Sequence, residues 1–214
     1  MFVKLRMTTN PFTVGPENTV PEALALMEER RVRHLPVVEG GRVVGVLSKG
    51  DIAAAMPSKA TSFSAGEVTY LVNKLKVGKV MSRNPKTIGP DALLEEAALV
   101  MRDNKIEMLP VVDGGRLVGV VTESAILDSF IDILGFRDRG TRLWIEATDA
   151  PGVLSNLTGI MARHGANIIH LAVFRGEGLE RATVVVGVNT LQTNELEADL
   201  ADNGFRVVHL LRNP

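Results

Sequence analysis

The 214 residues include no cysteine, which excludes a disulfide framework, a thiolate metal site and a cysteine nucleophile. Aromatic residues make up only 4%, so the chain lacks a stacking platform for single-stranded nucleic acid. Neither sign of charge dominates: the formal net charge is −1, with no basic field to gather nucleic acid and no acidic tail. No apolar run approaches the roughly 18–20 residues that span a bilayer. Met1–Met7 has neither an apolar h-region nor a small-residue cleavage site. These absences lead us to expect a soluble cytoplasmic protein with no membrane or nucleic-acid partner. Enzyme signatures are missing too: there is no Walker loop, G-x-S-x-G, H-E-x-x-H or G-x-G-x-x-G. The histidines, His34, His164, His170 and His209, are scattered, so no metal or cofactor is expected and the protein reads as non-catalytic.

What the chain does have is a repeat. Shifted by 74 residues it matches itself, with 20 of 46 positions identical and no gap over 7–52 against 81–126. Met7-Thr-Thr-Asn-Pro11 aligns with Met81-Ser-Arg-Asn-Pro85, and Leu35-Pro-Val-Val38 with Leu109-Pro-Val-Val112. Gly40-Gly-Arg-Val-Val-Gly-Val46 aligns with Gly114-Gly-Arg-Leu-Val-Gly-Val120. Each copy reads as a short extended piece (Thr13-Val14, Thr87-Ile88), a helix, a hairpin turning on Gly-Gly, and a second helix. Thr19-Val-Pro-Glu22 is a capping box in front of a helix over 20–31. One β-α-β-β-α unit cannot bury its apolar face alone; two copies related by a pseudo-two-fold can. Residues 57–64 read as a loop and Ala65–Leu75 as a helix, giving boundaries at 1–78 and 79–134.

After a glycine-bounded, charged stretch at 135–140, the pattern over 141–214 becomes β-α-β-β-α-β. Leu143–Ala147 alternates as a strand, and Val153–His164 carries Leu154, Leu157, Ile160 and Met161 at helical spacing. Strands over 167–175 and 182–188 joined by Gly176-Glu-Gly178, a helix over 191–202 and a closing strand over 205–211 complete a ferredoxin-like sandwich. The fold class is therefore α+β.

The duplicated unit, Met-x-x-Asn-Pro … Leu-Pro-Val-Val-x-Gly-Gly-Arg, resembles a tandem pair of CBS (cystathionine-β-synthase) domains over about 5–131. The last segment, with Asp149-Ala-Pro-Gly-Val-Leu154 and Gly165-Ala-Asn-Ile168, resembles an ACT domain. The order of the two resembles that in the acetoin-utilization, AcuB-like group.

Ser48-Lys-Gly-Asp51 has two readings. It can be a helix cap that needs no ligand. It can also be a phosphate site at a helix N-terminus, with a carboxylate one turn on that accepts ribose hydroxyls. The CBS resemblance implies the second, with an adenine nucleotide (AMP, ATP or another adenosyl compound) as ligand. In the second copy Thr122 keeps the hydroxyl, Ala125 replaces the acid, and Glu123 adds a negative charge. One tight nucleotide per chain is expected. Either Arg33 is a solvated rim residue and His34 a packed edge residue or, as the resemblance implies, both are phosphate contacts; the cleft they face is open. Thr13, Val14, Pro36, Thr87 and Pro110 complete the implied nucleotide set. The ACT resemblance implies a small-molecule site, often for an amino acid, at a subunit interface, involving Asp149, Gly152, Val153, Leu154, Asn167 and Ile168. The alternative there is a β-to-α turn with Gly152 needed for close packing.

Three functions compete. A regulatory sensor would bind the nucleotide, and an amino acid on the ACT part, and signal to a regulated partner protein. A scaffold would have vestigial clefts. An enzyme would turn over the nucleotide. Apolar faces at Leu109–Val112 and the paired helices suggest a homodimer.

Overall fold

The computed structural model describes residues 1–56, 65–176 and 181–214. The expected loop at 57–64 and most of the Gly176–Gly178 turn lie outside the described residues. The chain forms two compact units, Met1–Leu127 and Asp128–Pro214.

In the first unit, helix α1 (Val20–Glu29) starts from Thr19, whose side chain accepts from the Glu22 N–H in a reciprocal capping box. Strands β2 (His34–Glu39) and β3 (Arg42–Ser48) form an antiparallel hairpin across Gly40 and Gly41. Both glycines have positive φ, +57° and +80°, which is what the two-residue turn requires. Ser48 then caps α2 (Lys49–Ala55). After α3 (Ala65–Lys74) and α4 (Val77–Val80), the second copy repeats the order: α5 (Leu94–Asn104), β5 (Met108–Asp113), β6 (Arg116–Thr122) and α6 (Glu123–Ile133). With two short strands, β1 (Thr8–Thr9) and β4 (Ser82–Arg83), the sheets here are three-stranded, β2-β3-β4 and β1-β6-β5.

The short third strands are exchanged between the copies. β1 (Thr8–Thr9) pairs with β6 of the second copy, Thr8 opposite Val120 and Thr9 opposite Gly119. β4 (Ser82–Arg83) pairs with β3 of the first, Ser82 opposite Val46 and Arg83 opposite Gly45. Two strand glycines make room for this. A Cβ on Gly45 would meet Met81 Sδ at 2.5 Å and Ser82 O at 3.0 Å. A Cβ on Gly119 would meet Met7 Sδ at 2.8 Å and Thr8 O at 2.9 Å. The N-terminal segment accordingly completes the second copy's core: Val3 is fully buried with Leu94, Met101, Leu109 and Val121. The first copy's core (Val20, Met27, Leu35, Val37, Leu47) is completed by Val77 and Met81. Leu109 and Val111 are fully buried, and Pro110 is buried with them. The Leu109–Val112 strand is therefore core and not the docking face the sequence suggested: alternation could not tell a strand covered on one side from one covered on both.

The second unit is an antiparallel sheet, β10-β7-β9-β8. Its strands are β7 (Gly140–Thr148), β8 (Ile168–Arg175), β9 (Arg181–Val188) and β10 (Arg206–Asn213). Helices α7 (Val153–Arg163) and α8 (Asn194–Asp202) pack on it. Alternation sends Leu143, Ile145 and Ala147 of β7, with Val184, Val186 and Val188 of β9, into a core shared with Leu157, Ile160, Met161 and Leu200. Among the described residues no helix is long and apolar enough to cross a membrane.

Candidate functional site

The cap that opens α2 is closed on itself. Asp51 N–H donates to Ser48 Oγ at 3.0 Å, while Asp51 Oδ2 accepts from Ser48 N–H at 2.8 Å and from Ser48 Oγ at 2.6 Å. The other oxygen, Oδ1, faces Ser82 Oγ at 3.4 Å. At the equivalent place in the second copy Thr122 Oγ1 accepts from the Ala125 N–H at 3.2 Å, with no carboxylate to answer it.

Each helix start opens onto a cavity of the first unit walled by the other copy. Ser48 and Asp51, with Val46 and Ser82, share a cavity of about 490 Å³ with Asn84, Pro85, Lys86, Lys105 and Glu107. Thr122, Glu123 and Ser124 share one of about 480 Å³ with Asn10, Pro11, Phe12, Arg31 and Arg33. Both volumes suit a nucleotide-sized ligand. The two are related by the 74-residue shift: Asn10 corresponds to Asn84, Arg31 to Lys105, Thr122 to Ser48.

Of the residues singled out from the sequence, Ser48 and Asp51 line the first cavity, while Arg33, Pro36 and Thr122 line the second. His34 lines both, which answers the question the sequence left open. Arg33 and Ser48 therefore do not share a cavity. Thr13, Val14, Thr87 and Pro110 line neither. Val14 is tied to β2, its N–H donating to Pro36 O and its carbonyl accepting from Val38, and so acts as backbone support. Ile88, beside Thr87, makes the equivalent pair with Pro110 and Val112.

Sequence reasoning missed the rims. Among the described residues, the non-glycine residues with positive φ are Asn10 (+49°), Arg31 (+53°), Asn84 (+51°) and Lys105 (+54°). All four line these cavities, two in each. The left-handed region costs a non-glycine residue energy, about 1–3 kcal/mol where held against its preference, and such residues concentrate at functional sites. The Asn-Pro pairs that anchored the repeat were the available signal.

His34 Nε2 lies 3.7 Å from Glu107 Oε2. Burial holds the His34 imidazole below its ordinary value; Glu107 and Asp51 pull it upward and Arg33 pushes it down. Among the described residues no cluster of three or more His, Asp or Glu could hold a metal.

In the second unit Gly152 is the N-cap of α7 with φ +87°, and a Cβ there would meet nothing within 4 Å. The glycine serves the backbone turn and not close packing, which corrects the structural alternative drawn from the sequence. Val153 and Leu154 form the first turn of α7. Asp149 Oδ2 accepts from Arg175 Nε at 2.7 Å. Asn167 N–H donates to Asn189 Oδ1, and Ile168 pairs with Val188, which also pairs with Thr141. Asp149 follows Thr148 at the far end of β7, and Thr148 is roughly 23 Å from Thr141 at about 3.3 Å per residue. One chain thus does not bring Asp149 and Gly152 together with Asn167 and Ile168.

These features agree with known families. The CBS domain family matches residues 3–58 and 77–132, together more than half the chain. The chain belongs to the CBS-domain family. The ACT domain family matches residues 141–205, so this is a CBS pair followed by an ACT domain. The CBS–ACT chain is similar to a crystal structure from Vibrio cholerae provisionally named as an acetoin utilization protein, AcuB. That likeness has 30% identity, TM-score 0.53, and covers 64% of this chain and 96% of the other. It is also similar to the CBS pair of protein MJ0100, solved with 5′-methylthioadenosine and S-adenosyl-L-methionine: 29% identity, TM-score 0.51, 61% and 95% covered. A third is CBSX2 in complex with AMP: 31% identity, TM-score 0.52, 62% and 97% covered. Among curated proteins, an inosine-5′-monophosphate dehydrogenase of Korarchaeum cryptofilum is 30% identical over 80% of this chain; the chain spans 33% of that enzyme's length.

Proposed function

We propose that this CBS–ACT chain is a non-catalytic sensor that binds an adenosyl ligand in the clefts of its first unit and signals its presence to another protein. The observation that carries this reading is the pair of shift-related cavities, about 490 and 480 Å³, each joining a hydroxyl-capped helix start to a rim held in left-handed backbone. The ligands bound by MJ0100 and CBSX2 support the adenosyl class. Ser48 and Asp51 supply the hydroxyl and the acid for a ribose, and Lys86 and Lys105 supply positive charge for a phosphate. The tighter site is the Ser48 cavity, because Ala125 stands in the second copy where Asp51 stands in the first and Glu123 opposes an anion.

An amino acid on the ACT unit is the second part of the proposal. Since Asp149 and Gly152 lie at one end of the sheet and Asn167 at the other, such a site needs two copies, one offering each end. That makes a homodimer part of the same reading. Mass spectrometry of the denatured protein, followed by calorimetric titration with AMP, S-adenosylmethionine and the twenty amino acids, tests both parts. An adenosyl compound bound without turnover supports the sensor. Turnover of the bound nucleotide favours an enzyme, and no binding at all favours a scaffold with vestigial clefts.

A further inference from the structure

Among the described residues, His34, Glu107 and Met108 line both cavities. His34 and Met108 are equivalent under the 74-residue shift, so the common wall carries an imidazole from one copy and a thioether from the other. The His34 side chain is 19% exposed, and its Nε2 stands 3.7 Å from Glu107 Oε2. The charged groups facing it are Glu107 from the segment before β5, Asp51 from α2, and Arg33 beside it. Lys86 and Lys105 stand further round one cavity, and Arg31 and Glu123 round the other.

We infer that His34, held beside Glu107, is a single proton-binding group in the wall common to the two clefts, through which a phosphate-bearing ligand in one alters the other. This rests on the nucleotide reading above. In the empty protein burial favours the neutral imidazole near pH 7. A phosphate brings about −1.5 to −2 charges at that pH. Placed in either cleft, it favours the imidazolium, so a proton passes from solvent to His34. The imidazolium faces the second cleft as well and offsets the repulsion that the first phosphate exerts there. Only one proton can be taken up in all, so the second ligand draws at most what the first left unfilled. A ligand without phosphate, such as adenosine, draws none.

The test is calorimetric titration of the whole chain with AMP at pH 7.5, in buffers of different ionisation enthalpy, with adenosine as control. The expected result is uptake of part of a proton with the first AMP, a smaller amount with the second, at most one proton in total, and none with adenosine. Affinity for the first AMP should fall as pH rises, by at most about tenfold per pH unit. His34→Met, which copies Met108, should flatten that profile and abolish the uptake. Glu107→Gln, at a position 59% exposed, should shrink the uptake and serves if His34→Met does not fold. AMP binding without proton uptake, uptake persisting in His34→Met, or more than one proton for two ligands would overturn the shared wall while leaving the nucleotide reading intact. Absence of any AMP binding would overturn both.

Discussion

Replacing Asp51 with alanine separates the acid's work as a cap from its work for a ligand. In the free protein its carboxylate accepts from Ser48 N–H at 2.8 Å and Ser48 Oγ at 2.6 Å. Ser48 Oγ would keep the N–H of residue 51, now at 3.0 Å, so only the return half of the capping box is lost. That half costs about 1 kcal/mol, or about 2–5 °C in the melting temperature of a unit this size. Binding should suffer more. A hydrogen bond to an ionised group contributes about 1.5–3 kcal/mol, so affinity for AMP in this cleft should fall roughly 10- to 150-fold. The variant would also resemble the second copy, where Ala125 already stands at the equivalent position, and the tight site should lose most of its advantage over the other. Circular dichroism melting and calorimetry on the same preparation give both numbers. A folded Asp51→Ala protein that binds AMP as tightly as wild type would refute the assignment of the acid to the ligand.

Gly187→Ala should destabilise the ACT unit by about 1–3 kcal/mol, because a Cβ there overlaps the His170 imidazole; thermal melting measures it, and adding His170→Ala should recover much of the loss. Burial, then Arg142, hold His170 below its ordinary value, and burial does the same for His34. Below about pH 6.5 the unfolded chain therefore binds more protons at these sites than the folded one, so stability should fall as pH drops toward the lowered folded values and return above it. Melting midpoints at pH 5.5 and 7.5 check the sign. Leu99 on α5 and Leu127 on α6 are about half exposed, 49% and 57%, and sedimentation at micromolar concentration should show a dimer; a monomer would contradict the two-copy ACT site.

The elements that were legible in the sequence carry strong local codes. Thr19 and Glu22, Ser48 and Asp51, and the Gly40-Gly41 and Gly114-Gly115 turns fix helix starts and hairpins through contacts a few residues apart. Leu143, Ile145 and Ala147 mark their core face by period-two alternation. The exchange of β1 and β4 was not legible, because two-residue strands show no period. The 74-residue shift also aligns each with its own copy, while the pairing goes to the other. The same exchange explains the clefts. Arg33 and Ser48 are close in sequence, yet one faces Thr122 and the other Lys105, since each cavity is built from the end of one copy's hairpin and the rim of the other. Asp149 and Asn167 are separated for a different reason: α7 carries the chain back along the sheet before β8 begins, a distance that motif spacing does not reveal.

The central claim is that the two cavities are adenosyl sites of unequal strength. Calorimetric titration of the whole chain with AMP, counting sites, tests it most directly. The account predicts one tight site per chain and a second weaker by roughly tenfold or more, the loss expected where Ala125 replaces the acid. Two equal sites would contradict the assignment of Asp51, and no binding of AMP at either would contradict the account as a whole.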